Sequence, residues 1–314
     1  MTGVGEFFLM QVSLVMVVLV LHTYIGLHVI RRGIIFCDLV LDQLAAFGVM
    51  VGIMLGVAYG SPLSYILSLV AVLVGCLLLA VLRPKDREIP QEAVIGILYG
   101  MALTASLLLA DKMDDGGTYL GKTLVGSMLW VSWPLVVMNI VVYAVLLLFH
   151  WVFRSRIIRL VDDPDHLPRR AWWDFLFFVT QGIITILIVP VAGVLLAYGF
   201  LMIPAAIGAL FTRRWAPALA IGWSAGTGAC LVGIFGSYHF DLPYGPSLLL
   251  AMAGAFLLAL GIRGVRSRTA DERGLGAGWR TAVEAAIGTS PRGGEAELAP
   301  ADASGRAPCP RGGA

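Results

Sequence analysis

Residues 37–56 read CDLVLDQLAAFGVMVGIMLG. A helix of this length rises about 30 Å, the thickness of a bilayer core. Asp38, Asp42 and Gln43 nevertheless sit near its start. An aspartate within a membrane span is costly and normally faces a cavity or a partner. Gly48, Gly52 and Gly56 follow, spaced by four. Such a small-xxx-small ladder lets a neighbouring helix approach closely. At about 100° per residue, Asp38, Asp42, Ala45, Gly52 and Gly56 fall within roughly 80° of one another. One face therefore joins two carboxylates to a close-packing stripe, and the stretch reads as a helix lining a cation path inside a bundle. The competing reading is a helix start whose aspartates sit in headgroup water.

The rest of the chain sets the class. Hydrophobic residues make up 59% of 314, charged residues only 13%, and mean hydropathy is +0.87. A soluble domain carries about 25% charged residues. The chain is expected to be an all-α polytopic membrane protein, with a transmembrane domain over 1–265. Residues 266–314 are rich in Gly, Ala, Pro and Arg and read as a disordered cytoplasmic tail. A net charge of +2 gives no ground for a nucleic-acid partner. Cys37, Cys76, Cys230 and Cys309 form no CxxC pair and no disulfide framework. Residues 1–21 contain no Lys or Arg, so the charged start of a cleavable signal is missing.

Span-length apolar segments fall at 7–30, 37–59, 65–82, 91–109, 131–153, 216–235 and 247–262. The apolar run at 175–210 would make a helix of about 54 Å, well beyond a core of about 30 Å. Pro190 and Gly193 near its middle predict a turn and two passes. The bundle then has about nine helices, or eight if the first span is irregular. Segment 120–130 is too short to cross and reads as re-entrant or interfacial. Trp130, Trp133 and Trp151 are candidate interface anchors. With nine passes the basic residues at 31–32, 83–87, 154–170, 213–214 and 263–268 share one side. The positive-inside rule places that side, and the carboxy terminus, in the cytoplasm of a bacterial plasma (inner) membrane.

Other motifs are weaker. Gly116–Thr123 matches the phosphate-loop pattern G-x-x-x-x-G-K-[ST]. That loop needs a preceding buried strand and a following soluble helix, and neither is predicted here. Any ATP site therefore belongs to another chain. His22 and His28 read as histidines bonded within the bundle rather than as ligands. His239 and Asp241, in SYHFDLPYGP, could meet an incoming cation but read better as shaping a proline turn. Gly96 and Gly100 repeat the four-residue spacing. No Ser/His/Asp or Cys/His pairing suggests catalysis, and no cofactor is implied.

Several blocks resemble the membrane permease subunits of zinc/manganese-type metal-ion ABC importers. They are GVLLAYGFLMIPAAIGALFTRR (193–214), GSYHFDLPYGPS (236–247), RRGIIFCDLVLDQLAAFG (31–48), QEAVIGILYG (91–100) and YLGKTLVGSMLWVS (119–132). The first two are the more specific. The resemblance implies structural roles for Gly48, Gly193, Pro204, Pro243, Gly245 and Pro246, and a metal-contacting role for Asp38. The family's Gly-Asp is Cys37-Asp38 here, and its histidine has no counterpart. Counting from Asp38 puts Asp42 in that place; counting back from Gly48 puts Gln43 there. Losing imidazole favours a harder cation such as manganese. The family's cytoplasmic loop pattern is replaced by LVDDPDHLPRRAWW (160–173). Asp162, Asp163, Pro164, Arg169 and Arg170 in it are the expected ATPase-docking residues.

The implied function is import of divalent metal ions by a homodimer in the lipid bilayer. Partners are an ABC ATPase and an extracytoplasmic metal-binding protein, and the chain itself is no enzyme. The alternatives are a permease for a metal chelate and a cation carrier coupled to protons through Asp38 and Asp42. Such carriers often show inverted repeats, and no internal repeat stands out here. An intramembrane enzyme is the remotest reading.

Overall fold

The computed structural model describes residues 2–82, 89–126 and 131–265. Contacts divide the chain into Met1–Gly264 and Val265–Ala314. The tail expected over 266–314, part of the charged loop at 83–88 and Trp130 lie outside the described residues.

Ten helices occur among the described residues, and no strand. They are α1 (Thr2–Arg32), α2 (Cys37–Met54), α3 (Pro62–Val81), α4 (Gln91–Asp111), α5 (Gly116–Val125), α6 (Trp133–Val152), α7 (Arg154–Asp162), α8 (Arg170–Phe211) and α9 (Trp215–His239), then α10 (Tyr244–Val265). Eight of them, all but α5 and α7, are long and apolar enough to cross a membrane.

Helix α8 is the exception to a simple count. Its 42 residues would reach about 63 Å as one rod. Asp174, near its start, pairs with Arg32. Arg213, just past its end, accepts a 2.7 Å hydrogen bond through its carbonyl from Arg31 Nη2. The two ends therefore meet neighbouring residues, Arg32 and Arg31, at the end of α1. The midpoint lies at the opposite end of the bundle, where Tyr59 donates to the Pro190 carbonyl at 3.2 Å. Gly193, at φ 78° and ψ 161°, breaks the helix there. Residues 170–192 and 194–211 are thus two antiparallel arms, each long enough to cross. The predicted turn is present, and the chain contains nine span-length segments among the described residues.

The bundle has two distinct ends. Arg31, Arg32, Asp174 and Arg213 gather at one, the arginine end. Glu6, which accepts from the Trp133 indole at 3.1 Å, marks the other. Helix α7 lies at the arginine end, where Phe153 packs on Trp173 and Arg156 stacks over Trp173.

Local chemistry sets the boundaries. Ser61 Oγ caps α3 by accepting from Ser64 N at 3.3 Å, with Pro62 in the first turn. Helix α2 stops at Met54, five residues short of the expected 59, because Gly56 adopts φ 81° in the following turn. Gly56 therefore leaves the carboxylate face. Gly48 remains a close-packing residue, but toward α3: a Cβ there would strike the Leu67 carbonyl and Ser68 backbone. A Cβ on Gly96 or Gly100 would meet nothing within 4 Å among the described residues. Helix α5 starts at Gly116, so the phosphate-loop pattern Gly116–Thr123 is helical throughout. The polar loop expected over 237–246 shrinks to 240–243, because α9 runs on to His239 and α10 begins at Tyr244.

Two substitutions test this architecture. Gly193→Ala would place a Cβ against the Gly126 and Val125 backbone at a left-handed φ. A cost of about 1–3 kcal/mol in strain alone is expected, visible as a lower Tm of the detergent-solubilised chain; an unchanged Tm would contradict the fold-back. Arg32→Gln leaves the Asp174 side chain, 5% exposed, without its closest cation. Breaking a buried pair on one side costs about 3–5 kcal/mol, and folded yield on size-exclusion should fall accordingly.

Candidate functional site

The most enclosed of the span-length helices are α8 and α2, with 78% of one 18-residue stretch of α8 and 67% of α2 buried. Polar side chains meet between them. Asp38 is 2% exposed, and its Oδ1 accepts from Gln181 Nε2 at 2.8 Å. Cys37 Sγ lies 3.7 Å from the same amide. Asp42, one turn on, is fully buried, and neither carboxylate oxygen has a hydrogen-bond partner of good geometry. Thr185, one turn beyond Gln181 on α8, is the hydroxyl that faces it. The Tyr143 phenol of α6 is buried, has no hydrogen-bond partner, and interacts electrostatically with both carboxylates. His22 of α1 stacks on Tyr143 at 5.8 Å and hydrogen-bonds the Val18 carbonyl at 3.0 Å.

The site follows from helix geometry. Positions four apart share a helix face, so Asp38/Asp42 on α2 and Gln181/Thr185 on α8 form two facing rows. Gln43 is turned elsewhere. Its Nε2 donates to Ser106 Oγ at 2.9 Å, tying α2 to α4. Of the two candidates for the second position, Asp42 shares the enclosure with Asp38 and Gln43 does not. Asp38 and Asp42 are both enclosed within one chain. No group of three or more His, Cys, Asp or Glu is arranged to hold a metal among the described residues. The donors that do converge are mostly oxygens, the set preferred by hard divalent cations.

Gln181, Thr185 and Tyr143 escaped the sequence reading. One signal was available: Thr180-Gln181 and Thr185 are the polar residues in an otherwise apolar 175–199 apart from Tyr198. His28, by contrast, is enclosed by rings: Tyr24 at 4.7 Å, Trp215 at 4.4 Å and Phe177 at 6.0 Å. It is a core histidine, as is His150, which bonds Thr180 Oγ1 at 3.0 Å.

The loop residues lie together at the arginine end. Asp163 pairs with His166 at 2.6 Å and Asp165 with Arg170 at 2.7 Å. The exposed Asp163 carboxyl is held below its ordinary value by that imidazole, and the His166 imidazole is raised by the carboxylate. Arg169 takes φ 55° at the entry to α8, Asp162 closes α7 beside Arg31, and Pro164 begins the turn between α7 and α8. Among the structural residues, Pro204 packs its ring toward Gly226 on α9, and a Cβ on Gly245 would meet the Val125 carbonyl. The Pro243 carbonyl accepts from Ser247 N at 3.1 Å, and Pro246 lines an apolar cleft between α9 and α10.

A family model described as "ABC 3 transport family" matches residues 6–263. The chain belongs to this family. A "probable metal transport system membrane protein" of Chlamydia trachomatis is 23% identical over 193 residues, covering 59% of this chain and 64% of the relative. The manganese transport system membrane protein MntB of Synechocystis is 23% identical over 186 residues, covering 58% and 60%. The match thus spans a little under two thirds of these curated relatives' length. The solved structure "PsaBC from Streptococcus pneumoniae in complex with Fab" superposes with a TM-score of 0.66 at 21% identity, covering 81% of this chain and 90% of that one. This ABC 3 chain therefore shares that fold.

An enclosed carboxylate without a partner is a stability cost of about 1–3 kcal/mol. Asp42→Asn, close in size and uncharged, is expected to raise the metal-free Tm by a few degrees. A lower Tm would show that Asp42 is already satisfied.

Proposed function

We propose that this ABC 3 chain is the permease of an importer for divalent metal ions, of the manganese/zinc class. Two copies work with an ABC ATPase and an extracytoplasmic metal-binding protein. The supporting observation is the buried Asp38–Asp42 row facing Gln181 and Thr185. Two carboxylates in low dielectric repel each other, and a dication between them removes that cost. The oxygen-rich set favours manganese over zinc. The arginine end is the cytoplasmic one by the positive-inside rule. The plasma membrane, the cytoplasmic carboxy terminus and the 266–314 tail follow from that orientation.

Enclosure on all sides suits an occluded stage of alternating access. Gln181 occupies Asp38 Oδ1, so a cation that takes that oxygen displaces the amide, which would be eased by movement of the 170–192 arm relative to α2. That arm begins directly after the 154–170 segment, the proposed ATPase dock. Motion of the ATPase against Asp162, Asp163, Pro164, Arg169 and Arg170 would pull on the arm. Gly193 supplies its hinge. The chain provides path and gate, and hydrolysis belongs to the partner.

Asp38→Asn should reduce metal uptake in cells by at least about tenfold, the effect of losing about 1.4 kcal/mol of cation binding, while the ATPase still copurifies. Gln43→Ala should leave uptake near wild type. Wild-type uptake by Asp38→Asn would remove that carboxylate from the path. Full transport by the chain purified without any ATPase would replace the importer by a self-sufficient carrier.

A further inference from the structure

Helix α6 is mostly exposed along the side of the bundle, with 28% of one 18-residue stretch buried. Its buried residues are Val136, Asn139, Tyr143, Leu146 and His150. At about 100° per residue, Asn139, Tyr143 and His150 lie within roughly 40° of one another. An otherwise apolar span therefore turns its amide, phenol and imidazole inward, the direction polar residues take in a membrane when they serve the interior of a bundle. Two of the three are engaged. Asn139 Nδ2 donates to the Leu135 carbonyl at 2.8 Å, and His150 bonds Thr180 Oγ1 at 3.0 Å. Tyr143 is 1% exposed, and its hydroxyl has no partner. This is the phenol that interacts electrostatically with Asp38 and Asp42. Both oxygens of Asp42 also lack a well-formed bond. An unpaired donor and an unpaired acceptor thus share one enclosure without bonding each other. The phenol ring is held in place: His22 stacks on it at 5.8 Å with 23° between the planes, and His22 Nδ1 is tied to the Val18 carbonyl at 3.0 Å.

We propose that Tyr143 is a ligand of the transported ion from a third helix, giving its phenol oxygen to a dication held by Asp38 and Asp42. The inference rests on the import reading above and adds to it a residue outside the carboxylate row. Two carboxylates already balance the charge of a dication, so a further donor in low dielectric is best neutral. A phenol that keeps its proton still has lone pairs to offer. Manganese-class ions take octahedral sets of oxygens. Helix α2 supplies Asp38 and Asp42, α8 supplies Gln181 and Thr185, and α6 closes the set with Tyr143. Water alone would satisfy the phenol but would leave two carboxylates with no charge between them. A tyrosine kept for packing would be better replaced by phenylalanine, which fills nearly the same volume and buries no hydroxyl without a partner.

The test is a Mn²⁺ titration of the purified permease–ATPase complex in nanodiscs, following the free-ion paramagnetic resonance signal, with Tm recorded without metal. Tyr143→Phe should leave the metal-free Tm unchanged or raise it by a few degrees, while weakening Mn²⁺ binding about tenfold. A packing role would move the two readouts together; a ligand role separates them. Asn139→Leu, one turn away on the same face, should keep wild-type Mn²⁺ affinity. Wild-type affinity in Tyr143→Phe, with binding still lost in Asp38→Asn, overturns the ligand and leaves the import reading intact. A lower Tm or no folded complex for Tyr143→Phe overturns it as well, since the hydroxyl would then be structural. Equal weakening by Asn139→Leu does the same, because the whole face would then act through packing. Absence of any Mn²⁺ binding to the wild-type complex overturns both readings.

Discussion

Three backbones meet where α8 reverses. Gly193 sits against Gly126 and Leu124 at the end of α5, and Gly245 at the start of α10 approaches the Val125 carbonyl. A side chain on Gly193 or Gly126 would drive into main-chain atoms, which cannot step aside. Glycine is required twice over at each, because both also carry positive φ, 78° in each case. Without that contact the two arms of α8 could not lie antiparallel, and Asp174 and Arg213 could not both reach the end of α1. In hydrocarbon a broken helix is tolerated only where protein covers the freed backbone groups. Helix α5, too short to cross, provides that cover.

The reversal also places the polar row. The 170–192 arm runs along α2 and brings Gln181 to Asp38 and Thr185 to Asp42. The same arm is fixed at its start by the Arg32–Asp174 pair. Arg32 Nη1 stays without a hydrogen-bond partner, while Arg170 reaches Asp174 at 3.8 Å and Asp165 at 2.7 Å. An ion-pair chain therefore runs from the exposed loop through α8 to α1. Buried pairs of this kind contribute little net stability but fix geometry. Here the geometry they fix is the register of Gln181 against Asp38, about two turns deeper on the same helix.

Much of this was legible in the residues. Length, hydropathy and the arginine pattern were enough for the class, for the number of span-length segments and for the break near Pro190 and Gly193. Periodicity put Asp38 and Asp42 on one face. It misplaced Gly56, because a glycine four residues on reads as a stripe whether or not the helix continues. It also could not say what the face meets. Gly48 and Gly52 turn to α3 while the carboxylates turn to α8, since a single helix packed on three neighbours presents several faces at once. Gln181, Thr185 and Tyr143 were hidden for a related reason. Their partners lie on α2, distant in sequence, and an isolated polar residue in an apolar run gives no hint of what it bonds.

The ambiguity between Asp42 and Gln43 shows what coordinates add. From spacing, both were admissible, because counting from either flank was equally sound. In the structure they point about 100° apart, as adjacent helical residues must. Gln43 finds Ser106 and becomes part of the α2–α4 contact. Asp42 finds no hydrogen bond of good geometry. A bundle selected for stability alone would place an apolar residue or a paired polar one there; at position 43 one half of the amide is paired, Nε2 with Ser106, while Oε1 has no partner. Retaining a carboxylate without a well-formed hydrogen bond one turn from a second carboxylate works against folding, a cost that the proposed cation path would offset whenever an ion sits between them.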